Sequence, residues 1–160
     1  MKTLMVCVSP SHGNTARVAQ AIAEVLDAQI VEPEVVDAAA IAAADLVGFG
    51  SGIYGMRFHA RLRDLVERLP PGEGKPVFVF ATSGGPELPL IPFTGPLVGR
   101  LEAKGYDIVG RFTCRGWDTW LPLQLVGGLN KGRPNSTDLD AARAFAGSVR
   151  KRIESRTAGS

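Results

Sequence analysis

A loop near the amino terminus combines the residue types that bind phosphate groups. It follows a short apolar run, Leu4–Val8, and leads into a helical pattern whose first apolar residue is Val18. The first N–H groups of a helix have no partners within it, and the helix dipole makes that end partly positive, so hydroxyl and amide residues there favour a dianionic ligand. An ordinary helix cap by Ser11 or Thr15 is the structural alternative. The candidate phosphate-binding residues are Ser9, Ser11, His12, Gly13, Asn14 and Thr15.

Two further loops carry residues suited to a flat ligand. The segment 51–59 follows the apolar run Leu46–Gly50 and exposes Ile53 and Tyr54 in water unless a ligand covers them. Packing of Tyr54 against its own helix is the alternative. The loop after Val77–Ala81 offers hydroxyls and unhindered backbone N–H groups, which also suit an ordinary tight turn. The candidate residues in these two loops are Gly52, Ile53, Tyr54, Gly55, Thr82, Ser83, Gly84 and Gly85.

Spacing excludes several rival sites. A nucleoside-triphosphate loop needs a Gly-Lys-Ser/Thr ending, and a dinucleotide fingerprint needs three spaced glycines where only Gly13 stands. The acidic residues of a phosphorylated receiver domain are replaced by Ser9 and Ser51. Cys7 lies within a strand pattern and lacks the arginine that a cysteine phosphatase loop requires, so it is interpreted as a buried apolar residue. The two cysteines and two histidines are too far apart for a metal site.

Bulk composition is that of one ordinary globular domain. The chain has 160 residues and a formal net charge of +2, which is too mild to indicate nucleic acid. No apolar run approaches the ~18 residues that span a bilayer, and no signal peptide is recognised. Together with two cysteines in a reducing compartment, this predicts a cytoplasmic protein without membrane contact. We expect a single domain over residues 1–156 and a disordered tail over 157–160.

The order of patterns predicts an α/β fold. Five short apolar runs alternate with helical stripes, which indicates a doubly wound, five-stranded parallel sheet with helices on both faces. The second run, Ile30–Val36, contains Pro33, and proline is tolerated at a sheet edge, so the predicted strand order is 2-1-3-4-5. Ligands in such sheets bind beyond the carboxyl ends of the strands, between strands one and three.

Local signals predict where several helices begin and end. Gly105 is expected to end the fourth helix, and Ala38–Ala44 is expected to form a short helix. The last helix is predicted to begin near Thr137 with Asp140 completing a capping box.

With these loops in view, the chain resembles the flavodoxin-like family that binds flavin mononucleotide (FMN), over nearly its whole length. The resemblance rests on Gly13-Asn14-Thr15 after the first strand and on the pair Tyr54-Gly55. It implies that the Ser9–Thr15 loop binds the FMN phosphate, that Tyr54 stacks on the flavin and that the Gly55 peptide turns to hydrogen-bond flavin N5 in the half-reduced state. Residues 82–85 would then face the pyrimidine edge of the ring.

The chain departs from that family pattern in three places. Pro10 and His12 stand where many members have hydroxyl residues, and proline removes an N–H donor. Met56 and Arg57 replace the acidic residues common after the stacking aromatic. The third loop lacks the aromatic that covers the second flavin face, so either Trp117 or Trp120 covers that face or it is open to a substrate.

The resemblance implies an electron carrier that takes electrons from a flavin- or NAD(P)H-dependent reductase and delivers them to an unknown partner enzyme. The alternative is an FMN-dependent oxidoreductase that reduces quinones or another small acceptor, with residues 115–135 as a substrate lid. A binding module that has lost its flavin is a third hypothesis, which the intact Gly13-Asn14-Thr15 disfavours. No catalytic side chain is assigned, and the roles of His59 and Arg115 are left open.

Charge around the expected flavin site is nearly balanced, with two basic and two acidic residues in the neighbouring loops. It predicts a less negative potential for full reduction, and a weaker salt dependence of partner docking, than acidic flavodoxins have. The four residues are Arg57, Glu87, Arg115 and Asp118.

Overall fold

The computed structural model describes residues 1–9, 13–84, 93–115 and 132–160, and strands alternate with helices along it. Five strands form a parallel sheet in the order β2-β1-β3-β5-β6, and β4 pairs antiparallel with β3 outside that path. The strands are β1 (Thr3–Val8), β2 (Ala28–Val31), β3 (Leu46–Tyr54), β4 (Arg57–Phe58), β5 (Pro76–Ser83) and β6 (Asp107–Arg115). The helices are α1 (Asn14–Leu26), α2 (Ala38–Ala43), α3 (Ala60–Arg68), α4 (Gly95–Ala103) and α5 (Ser136–Ala158).

The parallel part of the sheet confirms the predicted α/β class and the order 2-1-3-4-5, since β5 and β6 are the fourth and fifth of those strands. The second strand is at the edge as expected, but its predicted extent is wrong. Strand β2 ends at Val31 and pairs with β1 over four residues, so Pro33 lies beyond it and interrupts no ladder. Pro33 therefore follows the end of β2 and removes no hydrogen bond from within the strand.

Helices cover both faces of the sheet. One apolar core lies between the sheet and helices α2, α3 and α4, and the other lies between the sheet and α1 and α5. On the second face, Gly48 and Gly50 of β3 leave room for two buried rings of the neighbouring strand. A Cβ added at Gly48 would lie 2.3 Å from the ring of Phe78, and one at Gly50 would lie 2.1 Å from the ring of Phe80. The absence of side chains on this stripe of β3 lets the two rings lie across it.

Two helix ends test the local signals. Gly105, with φ 87°, follows α4, and the Tyr106 N–H donates to the Leu101 carbonyl at 3.0 Å, the 6→1 bond of a Schellman motif. This confirms the predicted glycine stop. The predicted start of α5 is wrong by two residues, because Asn135 is the N-cap and exchanges hydrogen bonds with Asp138 in the capping box.

The carboxyl-terminal helix, α5, continues to Ala158, two residues into the expected tail. Among the helices of the described ranges, none is long and apolar enough to cross a membrane.

Candidate functional site

The carboxyl edge of the sheet brings the described parts of the three predicted loops together. Val8 at the end of β1 pairs with Ser51 of β3, and Gly52 of β3 pairs with Thr82 of β5. Because parallel strands end at one edge, the turn before α1, the end of β3 and the end of β5 are neighbours. Of the predicted site residues, Ser11, His12 and Gly85 lie outside the described residues, as does Pro10.

The turn that opens α1 is built for an approach to backbone N–H groups. Gly13 is the N-cap with φ 67° and ψ 17°, a left-handed conformation that glycine adopts without strain, and no side chain caps from that position. The first turn of α1 contains no acidic residue. An anion at this end therefore meets the positive end of the helix dipole without a nearby carboxylate from that turn.

Capping of this helix comes from the strand side of the turn. Ser9 Oγ accepts a hydrogen bond from the Ala16 N–H at 3.1 Å, so it satisfies one donor of the first turn. Thr15, considered as a cap in the sequence, lies inside the helix instead.

The hydroxyl of Thr15 is bonded to that of Thr82. The two Oγ1 atoms are 2.8 Å apart, and the residues are only 2 % and 4 % exposed. The sequence assigned Thr15 to a phosphate and Thr82 to a ring edge, but did not foresee this contact between them. Each hydroxyl has one donor and two acceptor positions, so the pair ties the start of α1 to the end of β5 and keeps further hydrogen-bonding capacity.

The loop predicted after strand three is a hairpin, and this part of the sequence interpretation is wrong. Strand β3 continues past Gly50 to Tyr54 and turns through Gly55 and Met56 into β4, with Tyr54 paired to Arg57. Gly55 and Met56 have φ values of 56° and 66°. Positive φ at both central residues is the pattern of a type I′ turn, whose twist matches that of paired strands.

Ile53 and Tyr54 are not exposed together as the loop hypothesis expected. Ile53 is half-buried against the core on the α3 side, whereas Tyr54 is 43 % exposed. Successive side chains of a strand point to opposite faces, which separates the two once they belong to β3. Tyr54 therefore presents its ring to solvent at this edge, contrary to the alternative in which it is buried on its helix.

Two neighbours define where the Tyr54 ring lies. A Cβ added at Gly52 would lie 2.9 Å from the Tyr54 hydroxyl oxygen, so the ring folds back over a position that has no side chain. The Tyr54 ring also contacts the imidazole of His59: the two ring planes are perpendicular and the two ring centroids are 5.4 Å apart. Because Gly52 has no side chain, it leaves room for the Tyr54 ring at this edge.

His59 begins helix α3. Its Nδ1 accepts a hydrogen bond from the Arg61 N–H at 3.1 Å, and its own N–H donates to Ser51 Oγ at 3.0 Å. Ser51, which is fully buried, donates in turn to the Gly52 carbonyl at 2.7 Å. These bonds make His59 the N-cap of α3 and tie it to the end of β3.

The two thiols are poor nucleophiles in this setting. Burial, followed by the charge of Glu32, raises the pKa of Cys7 to about 12. Burial raises the pKa of Cys114 to about 12 as well; the charge of Asp138 adds to the rise, and Arg133 and Arg17 oppose it. Both cysteines are therefore thiols at neutral pH.

Among the described residues at this edge, Arg115 has a structural contact. Arg115 Nη1 donates to the Gly84 carbonyl at 3.1 Å, so it braces the end of β5. Within the described ranges, no group of three or more potential ligand side chains could hold a metal ion. Trp117 and Trp120, considered for the second ring face, lie outside the described residues, as do Glu87 and Asp118.

The fold and this edge define a doubly wound α/β protein with polar turns gathered beside the switch between β1 and β3. A family model described as the flavodoxin domain matches residues 5–87, and the chain belongs to the flavodoxin family. The match contains every described residue of the candidate site, from Ser9 to Gly84.

Known proteins resemble the chain over nearly its whole length. An uncharacterized protein of Methanocaldococcus jannaschii is 38% identical over 151 residues, which cover 94% of this chain and 99% of that protein. The structure of a flavodoxin from the domain Archaea superposes with a TM-score of 0.70 at 17% identity, covering 96% of this chain and 99% of the other. The rubredoxin oxygen:oxidoreductase of Desulfovibrio gigas gives a TM-score of 0.74 at 14% identity, covering 98% of this chain but 37% of that one. At these low identities, the two structures show a shared fold.

Proposed function

We propose that this chain binds FMN at the carboxyl edge of its sheet and carries electrons from a reductase to a partner enzyme. The observation that carries the proposal is the half-exposed ring of Tyr54, which lies at the end of β3 beside the strand that leads into the Gly13 turn. A phosphate-binding turn and an exposed aromatic on adjacent strands match the two ends of a flavin mononucleotide. Membership of the flavodoxin family supports the same ligand.

The phosphate end of the ligand fits the start of α1. Gly13 has no side chain to hinder approach to the first N–H groups of the helix, and the first turn is free of acidic residues. Asn14 opens the helix and provides an amide at the same end. Ser9 holds the turn through Ala16, so the N–H groups point the same way before and after a phosphate arrives.

The ring end of the ligand fits the hairpin and the end of β5. Tyr54 would stack on one face of the flavin, and Gly55, already at a positive φ, would present its peptide to the ring edge. The segment Thr82–Gly84 would supply backbone groups to the polar side of the ring, with Arg115 holding the Gly84 carbonyl.

Bound FMN would supply the redox chemistry, and the protein would bind it, orient it and limit its contact with water. Arg57 is exposed at the hairpin, where acidic flavodoxins carry negative charge. We therefore expect a less negative potential for full reduction, and spectroelectrochemical titration measures it. A strongly negative second reduction step would contradict the expected effect of this charge.

Absorbance and titration test the cofactor assignment. The purified protein, or the apoprotein reconstituted with FMN, should show flavin bands near ~450 nm. Riboflavin, which lacks the phosphate, should bind much more weakly than FMN if the α1 turn holds that group. Tyr54→Ala should weaken FMN binding, whereas the control Tyr106→Phe, at the opposite edge of the sheet, should not. A colourless protein that takes up no FMN overturns the proposal.

Steady-state assays separate a carrier from an enzyme. An electron carrier should accept electrons from a flavin reductase but should not consume NAD(P)H with a quinone by itself. Sustained NAD(P)H consumption with a quinone by the isolated holoprotein would instead support the oxidoreductase alternative.

A further inference from the structure

We propose that His59 is a positioning residue for Tyr54: it holds the tyrosine ring in the plane that stacks on the bound flavin. This role rests on the proposed FMN site. His59 has two separable functions, because one ring nitrogen caps α3 while the ring itself contacts Tyr54. The first function is structural, and the second acts on the ligand site through Tyr54.

The imidazole is fixed from two sides. The backbone of His59 is held by Ser51, whose hydroxyl is bonded at the same time to the Gly52 carbonyl of β3. The ring is held by the Arg61 N–H, which donates to Nδ1. Rotation of the imidazole away from Tyr54 would therefore break the cap of α3, so the ring is a rigid support.

The contact with Tyr54 is geometrically specific. The two ring planes are at 90° and their centroids are 5.4 Å apart, within the range that aromatic pairs prefer. Beneath Tyr54 lies Gly52, which has no side chain to define the tilt of the ring. The perpendicular contact with the imidazole therefore restricts the tilt of the Tyr54 ring.

A fixed ring matters because Tyr54 is 43 % exposed and lies next to a two-residue hairpin turn. A ring that is already oriented loses less conformational freedom when a flat ligand stacks on it, which favours binding. The structure thus assigns to His59 part of the affinity for FMN, although this side chain need not touch the ligand.

Two substitutions separate the cap from the ring contact. His59→Asn retains a side-chain oxygen that caps helices well and removes the aromatic ring. His59→Phe retains an aromatic ring and removes the cap acceptor. FMN affinity is measured by flavin fluorescence titration, and the stability of the apoprotein by urea unfolding. Near-ultraviolet circular dichroism of the apoprotein, taken as the difference between a variant and the wild type, contains the contribution of Tyr54 without any ligand.

We expect His59→Asn to keep near wild-type stability and to bind FMN about three- to tenfold more weakly, the range in which aromatic pairs contribute. His59→Phe should unfold at a lower urea concentration than wild type. In the absence of urea, it should bind FMN with an affinity within about twofold of wild type. In a Tyr54→Ala background, His59→Asn should produce no further loss of affinity. Wild-type affinity in His59→Asn, or an equal further loss in the Tyr54→Ala background, would overturn the proposal.

The dichroism readout distinguishes this proposal from the proposed function. If the wild-type protein binds no FMN, the function fails, but the positioning of Tyr54 is still tested. His59→Asn should then change the tyrosine dichroism in the same direction as Tyr54→Ala does. An unchanged spectrum in His59→Asn would refute the positioning role whatever the ligand is.

Discussion

Replacing Thr82 by valine keeps the shape of the side chain and removes one hydroxyl from the pair that joins β5 to α1. In the folded protein, the Oγ1 atoms of Thr15 and Thr82 are 2.8 Å apart in a buried setting. Valine at either position leaves the other hydroxyl facing a methyl group. The double substitution removes both hydroxyls and leaves two apolar groups in contact.

The expected magnitudes follow from the cost of burying a polar group without its partner. A buried hydroxyl that loses its partner destabilises a protein by about 1–3 kcal/mol, whereas replacing both partners by apolar groups of the same shape is nearly neutral. Thr15→Val and Thr82→Val should each lower the free energy of unfolding by about 1–2 kcal/mol. The double variant should lie within about 1 kcal/mol of wild type, so the two effects should be strongly non-additive.

Urea unfolding of the apoprotein, followed by far-ultraviolet circular dichroism, measures the four members of this cycle. Thr113→Val on β6 serves as a control for the general effect of the substitution. If the hydroxyls served only the ligand, both single variants would keep wild-type apoprotein stability and lose FMN affinity independently. Additive losses of stability in the double variant would also refute the reasoning, because they would show that the two hydroxyls do not depend on each other.

Three further predictions test the core, an ion pair and a thiol. Gly50→Ala places a Cβ 2.1 Å from a buried ring and should destabilise the protein by about 1–3 kcal/mol or more in urea unfolding. In Gly147→Ala in α5, the added Cβ would meet no described atom within 4 Å, so this variant should stabilise the protein by about 0.5–1 kcal/mol. Equal effects of the two glycine substitutions on the free energy of unfolding would contradict the packing. The side-chain hydrogen bond from Arg133 holds the pKa of Asp138 below its ordinary value, so this pair stabilises the fold above about pH 4 and the effect is lost as the pH falls through the lowered pKa. Asp138→Asn should therefore flatten the fall of the urea midpoint between about pH 5 and pH 2, and parallel curves would argue against the pair. Burial of Cys7 should make its labelling by a disulfide reagent at pH 8, followed in a Cys114→Ser variant, orders of magnitude slower in the native protein than in urea, and comparable rates would exclude that burial.

The strand order was predictable because it depends on patterns that the chain carries locally. Short apolar runs between helical stripes define parallel strands, and right-handed crossovers leave few arrangements for five of them. The predicted edge position of the second strand was right, but its predicted boundary was wrong. Strand β2 ends two residues before Pro33, and a proline can indicate the end of a strand as well as an edge position in the sheet.

The structure of the second loop, residues 51–59, was harder to predict because strand β3 competes with turn signals. Gly52 and Gly55 indicate a break in the chain, yet pairing with β5 and β4 carries β3 through to Tyr54. Pairing with β5, which is distant in sequence, carries β3 to Gly52, and no local pattern contains that energy. The last two residues of β3 are added by the hairpin with β4, which is a local structure. The alternation along β3 then buries Ile53 and exposes Tyr54, which the loop hypothesis had kept together.

By itself, the sequence determined the class of fold, the edge of the sheet that carries the candidate site and the residue types available there, because periodicity, turn residues and capping signals are local properties. Only the tertiary structure decided which of those residues act on one another. The bond between Thr15 and Thr82 and the contact between His59 and Tyr54 join positions on separate elements. Such contacts depend on the register and packing of the whole sheet. Register and packing are established only when the chain folds, so local sequence patterns do not contain them.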